Sequence, residues 1–103
     1  MTLVVFHIEA LRELREASEW YARKDAAEQG LRLLRVVDAG VREIAEHPES
    51  FPRDPKRSWA QRPRLLRWPY TLIFAMHEST AIVLSVARGK RRPGYWAKRR
   101  PSR

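Results

Sequence analysis

The chain of 103 residues has no cysteine, which excludes disulfides and thiolate metal sites. A reducing compartment is compatible with that, and a cytoplasmic location is the expectation. Its four glycines fall in no phosphate-cradling loop or nucleophile elbow, and its three histidines have no zinc-type spacing. No metal or cofactor is therefore expected. No apolar run approaches the roughly 18 residues of a membrane span. Met1–Phe6 lacks the basic flank of a secretion signal, so no membrane role is expected either.

Acidic residues are scarce in one half only. Residues 1–52 carry seven Lys/Arg and ten Asp/Glu, a net of −3, whereas 53–103 carry fourteen and two, a net of +12. Uniform solubilisation does not require such segregation. A localised basic surface points to a negative partner: nucleic acid, an acidic protein segment or anionic lipid. Apolar residues make up 44% of the chain, enough for the core of one small domain.

Leu3-Val4-Val5-Phe6-His7 reads as a largely buried strand, with His7 at its end structural or simply exposed. From Glu9 the period becomes helical. Leu11, Leu14, Ser18 and Tyr21 share a stripe flanked by Ala10 and Ala17, and Trp20-Tyr21 reads as packing material. Lys24 to Gly30 is a polar break with Gly30 as the helix stop. A second stripe, Leu31, Leu34, Val37, Val41 and Ile44, ends at His47-Pro48. Gly40 offers close packing against the first helix. The two helices form an antiparallel hairpin.

Pro48 to Pro63 is irregular, because four prolines interrupt it. Arg53, Lys56, Arg57 and Arg62 make it basic. Trp59 among them reads as a loop anchor or as a stacking surface for a base. Three strands follow. Arg64–Trp68 is the first. Tyr70–His77 alternates, with Tyr70, Leu72, Phe74 and Met76 on one face and Thr71, Ile73, Ala75 and His77 on the other. Glu78-Ser79-Thr80 turns the chain into Ala81–Ala87, making an antiparallel hairpin. Arg88–Arg103 holds eight cations and no acid. Pro93-Gly94 turns, Tyr95 and Trp96 pin the segment back, and residues 97–103 are expected to be a disordered basic tail after a single domain of 1–96.

Four segments carry a family resemblance: Glu13-Leu14-Arg15-Glu16-Ala17 with Trp20-Tyr21, Ile44-Ala45-Glu46-His47-Pro48, Arg67-Trp68-Pro69-Tyr70, and Arg91-Arg92-Pro93-Gly94-Tyr95-Trp96. In this order they resemble the RelE/ParE superfamily of type II toxins, also called plasmid-stabilisation proteins. The resemblance implies an α+β fold: a strand, the two-helix hairpin, then a mostly antiparallel three-stranded meander completing a small sheet. It implies a growth-inhibiting toxin neutralised by a cognate antitoxin in a hetero-oligomer. It leaves two mechanisms open. RelE-like members are metal-independent endoribonucleases that cut mRNA on the ribosome, whereas ParE-like members poison DNA gyrase and are not enzymes.

By that resemblance, the loosely matching catalytic positions are Arg67, Arg88, Lys90, Arg91 and Tyr95, with Lys56 or Arg57 standing in for loop lysines. Arg53, Lys56, Arg57, Trp59, Arg62, Arg64 and Arg92 are candidates for nucleic-acid or target binding. RNA cleavage without metal needs acid–base groups, and arginine stays protonated and is a poor base. His77 can titrate but stands outside this set. The arginine-rich loop and the Pro-Gly-Tyr-Trp setting of Tyr95 favour the gyrase reading, with the mRNA interferase as the alternative. An inactive relic and a stand-alone nucleic-acid-binding module are the readings of other classes.

Overall fold

One side chain in two decides how the first strand sits. In β1 (Leu3–Phe6), Val4 and Phe6 pack into the main core, while Leu3 is 65% and Val5 40% exposed. The computed structural model describes residues 1–24, 27–89 and 91–101. It places β1 at the sheet edge, parallel to the last strand, with alternate residues exposed, so the strand is less buried than the largely buried one expected.

Helix α1 (Ile8–Lys24) begins where His7 Nδ1 accepts the Glu9 N–H at 3.0 Å, giving that histidine the structural role of the two expected. Glu9 in the first turn and Arg23 and Lys24 in the last complement the helix dipole. Ala10 and Ala17 are buried and Leu14 and Tyr21 half-buried, but Leu11 is 50% exposed.

Helix α2 (Ala27–Glu46) contains Gly30 in its first turn, so Gly30 is not the stop expected of it. Residues 25–26 of the expected polar break lie outside the described residues. Gly30 serves a close approach instead: a Cβ there would lie 2.6 Å from the Ser18 carbonyl oxygen of α1. Gly40 faces the sheet rather than α1, with Leu72 Cδ1 3.1 Å from its would-be Cβ. The buried stripe runs Gly30, Leu33, Val37, Ile44, and Leu31 and Leu34 stay exposed. The close approach at Gly30 sets which face turns inward, and a small residue does not register in an apolar periodicity.

Strands β2 (Ala60–Gln61), β3 (Tyr70–His77) and β4 (Thr80–Arg88) complete a sheet of order β1-β4-β3-β2, mixed in direction. Its strand β2 is Ala60–Gln61 and not Arg64–Trp68. Buried Gln61 donates to the carbonyls of Pro48 and Phe51, holding the loop to that edge. Arg64 contributes a single bridge to Thr71. The residues after it form a turn closed by the Trp68 N–H to the Leu65 carbonyl, with Leu65 buried and Leu66 82% exposed. Prolines at 63 and 69 bracket a segment too short to pair further.

The hairpin of β3 (Tyr70–His77) and β4 (Thr80–Arg88) is antiparallel as expected. Tyr70, Leu72 and Phe74 join the core beneath the helices, and Ile73 and Ala75 face the other way. Between Ile73 and Phe74 the register shifts, because Phe74 pairs Val83 and Ile73 pairs Ser85. Leu84 is the extra residue of this bulge.

A second cluster covers the face opposite the helices. Ile73, Ala75, Leu84 and Ala60 pack there with Trp96, which is 3% exposed. Within the segment expected to be a disordered tail, Ala97–Arg99 form a 3-10 turn lying on this face, and residues 102–103 lie outside the described residues. Trp96 pins the segment as expected, and the packing of Ala97 and the Arg99 bond to the Leu84 carbonyl extend the contact beyond it. No helix among the described residues is long and apolar enough to cross a membrane.

Candidate target-binding groove

The loop 51–64 is ordered by one acid. Asp54 is buried and its carboxylate accepts the N–H groups of Lys56 and Arg57 at 3.1 and 2.9 Å. The same carboxylate lies 3.9 Å from the Arg57 guanidinium and 3.6 Å from that of Arg62. The loop folds back at Asp54 N–H to Ala60 carbonyl, 2.8 Å. A basic loop thus closes on its single carboxylate, which offsets part of the local repulsion.

Against this loop stand the start of β3, the end of β4 and the turn beyond. Phe51, Pro52, Pro55, Pro63, Trp68 and Tyr70 floor an open groove of about 860 Å³, with Arg53, Arg62, Arg64 and Arg88 around it. A smaller basin shares Arg62, Thr71, Arg88 and Gly89 with it and continues to Arg91, Arg92 and Tyr95. The two form one cationic channel. Aromatic packing fixes its floor: the Tyr21 and Trp68 rings meet edge-on at 4.9 Å, and Tyr70 lies 6.3 Å from Tyr21. Burial, and secondarily Tyr21, push the Tyr70 phenol above its ordinary range, opposed by Arg88.

The structure brings together Arg53, Arg62, Arg64, Arg88, Arg91, Arg92 and Tyr95 from the candidates. Arg53 donates to the Ser58 carbonyl at 2.8 Å, and Arg88 lies over the exposed Trp20 ring at 5.7 Å. Arg57 has a packing position: it lies over the Trp96 ring at 5.7 Å, and a Cβ at Gly94 (φ 75°) would fall on its guanidinium. Trp59 is half-buried edge-on to Trp96 at 5.7 Å, with Arg100 over its own ring at 4.4 Å. It anchors the loop to the tail face and lines neither basin. Lys56 and Arg67 are exposed with no side-chain partner among the described residues, and Arg67 sits in the left-handed region at φ 68°. Lys90 lies outside the described residues. His77 stands at the far end of the hairpin, 4.0 Å from Glu78.

Sequence reasoning passed over Glu13, Ser85 and Arg99. Glu13 Oε1 accepts the Ser85 hydroxyl at 2.9 Å and the Val86 N–H at 3.0 Å. Its Oε2 accepts the Tyr95 hydroxyl at 3.0 Å and the Arg99 guanidinium at 3.0 Å. Ser85 and Tyr95 hydroxyls are 2.6 Å apart, and Arg99 also donates to the Leu84 carbonyl at 2.9 Å. Strand β1 ends opposite Val83, so Val86 has no strand beyond it on that edge, and Glu13 supplies the missing acceptor. The signal was present: Glu13 lies between Ala10 and Ala17 on the small-residue stripe, where a carboxylate needs partners. Burial raises the Tyr95 phenol above its ordinary range; the Ser85 bond opposes this and Glu13 adds to it.

Two helices on one side of a four-stranded mixed sheet, a cationic groove at the hairpin end and a tail packed on the far side define the class: a small α+β toxin-like fold. Residues 4–93 match the family described as the ParE toxin of the type II toxin-antitoxin system, parDE, and the chain belongs to that family. It is thus the toxin component of such a module, growth-inhibiting and neutralised by a cognate antitoxin. A solved chromosomal ParDE toxin–antitoxin system from P. aeruginosa is similar in fold, with a TM-score of 0.76 at 17% identity over 85% of this chain and 96% of that one. A comparison with curated protein sequences gives no match. The family match ends before Gly94-Tyr95-Trp96, the motif that closes the tail.

Proposed function

We propose that this toxin acts in the cytoplasm by poisoning DNA gyrase, with the cationic groove as its contact surface. The contact residues are Arg53, Arg62, Arg64, Arg88, Arg91 and Arg92, joined by the exposed Lys56 and Arg67 at its margins. Arg57 and Trp59 support the loop that carries them.

One observation carries the choice over mRNA cleavage. Tyr95, the residue that an RNA-cleaving reading needs as an acid–base group, donates a hydrogen bond to Glu13 and is held above its ordinary pKa by burial. A phenol so placed stays neutral and committed to the fold at physiological pH. The guanidiniums around it stay protonated and serve binding better than proton transfer.

The test sets two assays side by side: inhibition of gyrase supercoiling with trapping of cleaved DNA, and ribosome-dependent cleavage of mRNA. Gyrase inhibition reversed by the antitoxin is expected. Messenger cleavage with untouched gyrase would replace this reading by the interferase one.

A further inference from the structure

We propose that Glu13 is a positioning residue for the cationic groove: from α1 it fastens the C-terminal segment, and through the Tyr95 ring it holds Arg91 in place. The inference rests on the reading of the groove as the target contact.

Glu13 takes a donor from each of four places: the Ser85 hydroxyl, the Val86 backbone, the Tyr95 hydroxyl and the Arg99 guanidinium. Two of these belong to β4 and two to the tail. Its side chain is 15% exposed and that of Arg99 16%, so the ion pair is shielded from screening by solvent. The carboxylate therefore joins the start of the chain to its end, 82 residues apart at Tyr95. The bulge at Leu84 supplies the third partner by turning the Ser85 hydroxyl toward the same point.

What is held matters for the groove. The Arg91 guanidinium lies 4.0 Å from the centre of the Tyr95 ring, and the Arg99 guanidinium 5.2 Å from it. Tyr95 is thus gripped by its hydroxyl and covered by two cations, one of which lines the groove. From the loop side, Arg57 closes on Gly94 and Trp96. Freeing the hydroxyl leaves the tail held by the packing of Trp96, by Arg57 and by the Arg99 bond to the Leu84 carbonyl, while the ring beneath Arg91 loses its own anchor.

The experiment is hydrogen exchange by mass spectrometry on the full chain, with gyrase inhibition measured on the same preparations. The tail carries its own reporters, the bonded amides of Arg91, Tyr95, Ala97, Arg99 and Arg100. E13Q keeps the volume of Glu13 but removes the charge opposite Arg99. In E13Q the tail amides should exchange about tenfold faster, as expected for loss of one charge-assisted bond, while β3 amides and the β4 amides other than that of Val86 keep their rates. Gyrase inhibition should weaken by a similar factor. Y95F keeps the ring under Arg91 and the Glu13–Arg99 pair, and should give the same pattern more weakly, which guards against a poorly folding E13Q.

Unchanged tail exchange in both variants overturns the lock. Faster tail exchange with full gyrase inhibition overturns the positioning of the groove. Equal acceleration in strands and tail shows a general stability role and overturns it too. Absence of gyrase inhibition in the unsubstituted protein refutes the target reading instead, and the exchange rates still decide the lock.

Discussion

Arg67 holds a left-handed backbone at φ 68° while its side chain is exposed and without a partner among the described residues. A non-glycine residue there costs about 1–2 kcal/mol through the contact of Cβ with the backbone. Glycine removes that cost but adds about 0.4–1 kcal/mol of unfolded-state freedom. Arg67→Gly should therefore stabilise the fold by up to about 1.6 kcal/mol, raising Tm by about 4–8 °C for each kcal/mol in a domain of this size. The same substitution removes a cation at the rim of the proposed contact surface and should relieve growth arrest. Arg67→Lys keeps charge and strain together, so it should remain toxic at unchanged Tm. Calorimetry and induced-expression growth curves read the two effects separately. A lower Tm in Arg67→Gly would refute the strain argument, and full toxicity in that variant would remove Arg67 from the contact surface.

Gly30→Ala should destabilise by about 1–3 kcal/mol, since the added carbon meets the Ser18 carbonyl and the helices must part; Gly40→Ala, against the movable end of Leu72, should change stability far less, and equal urea midpoints would contradict the distinction. Asp54→Ala should cost about 1–3 kcal/mol by leaving two loop N–H groups and two guanidiniums without their acceptor, and an unchanged urea midpoint would argue against the loop's dependence on it. Tyr70 and Tyr95 both ionise above the usual tyrosine value, so folding favours their neutral forms. Their contribution is complete below about pH 10 and is lost as pH rises through the raised values, because the unfolded chain releases its protons first. Thermal melts from about pH 9 to about pH 11 should show this fall, with a shallower slope in Tyr95→Phe; an identical slope would exclude Tyr95 as a source.

Local pattern made much of this molecule legible. The alternation through Tyr70–His77 assigned its faces correctly, since a side chain's side in a strand depends only on its parity. The helical periods located α1 and α2, and the charge split placed the basic surface. What failed required a neighbour. Gly30 resembles a stop when read alone and is a crossing point when α1 is beside it. Ala60–Gln61 is too short to announce itself as a strand, and its pairing rests on Gln61 reaching two carbonyls in the preceding loop. The segment after Trp96 looked like a solvated run of cations because Arg99 finds its partners, Glu13 and the Leu84 carbonyl, elsewhere in the chain.

Composition and periodicity by themselves determined that this is a small basic α+β domain with two helices and a central hairpin, and the order of its segments pointed to its family. Only tertiary structure decided which arginines share a groove, which are absorbed in packing, and that Glu13 meets Tyr95 and Arg99. The physical reason is range. Backbone geometry and hydrophobic period act over a few residues, whereas a carboxylate's four donors from β4 and the tail come together only when the chain closes on itself.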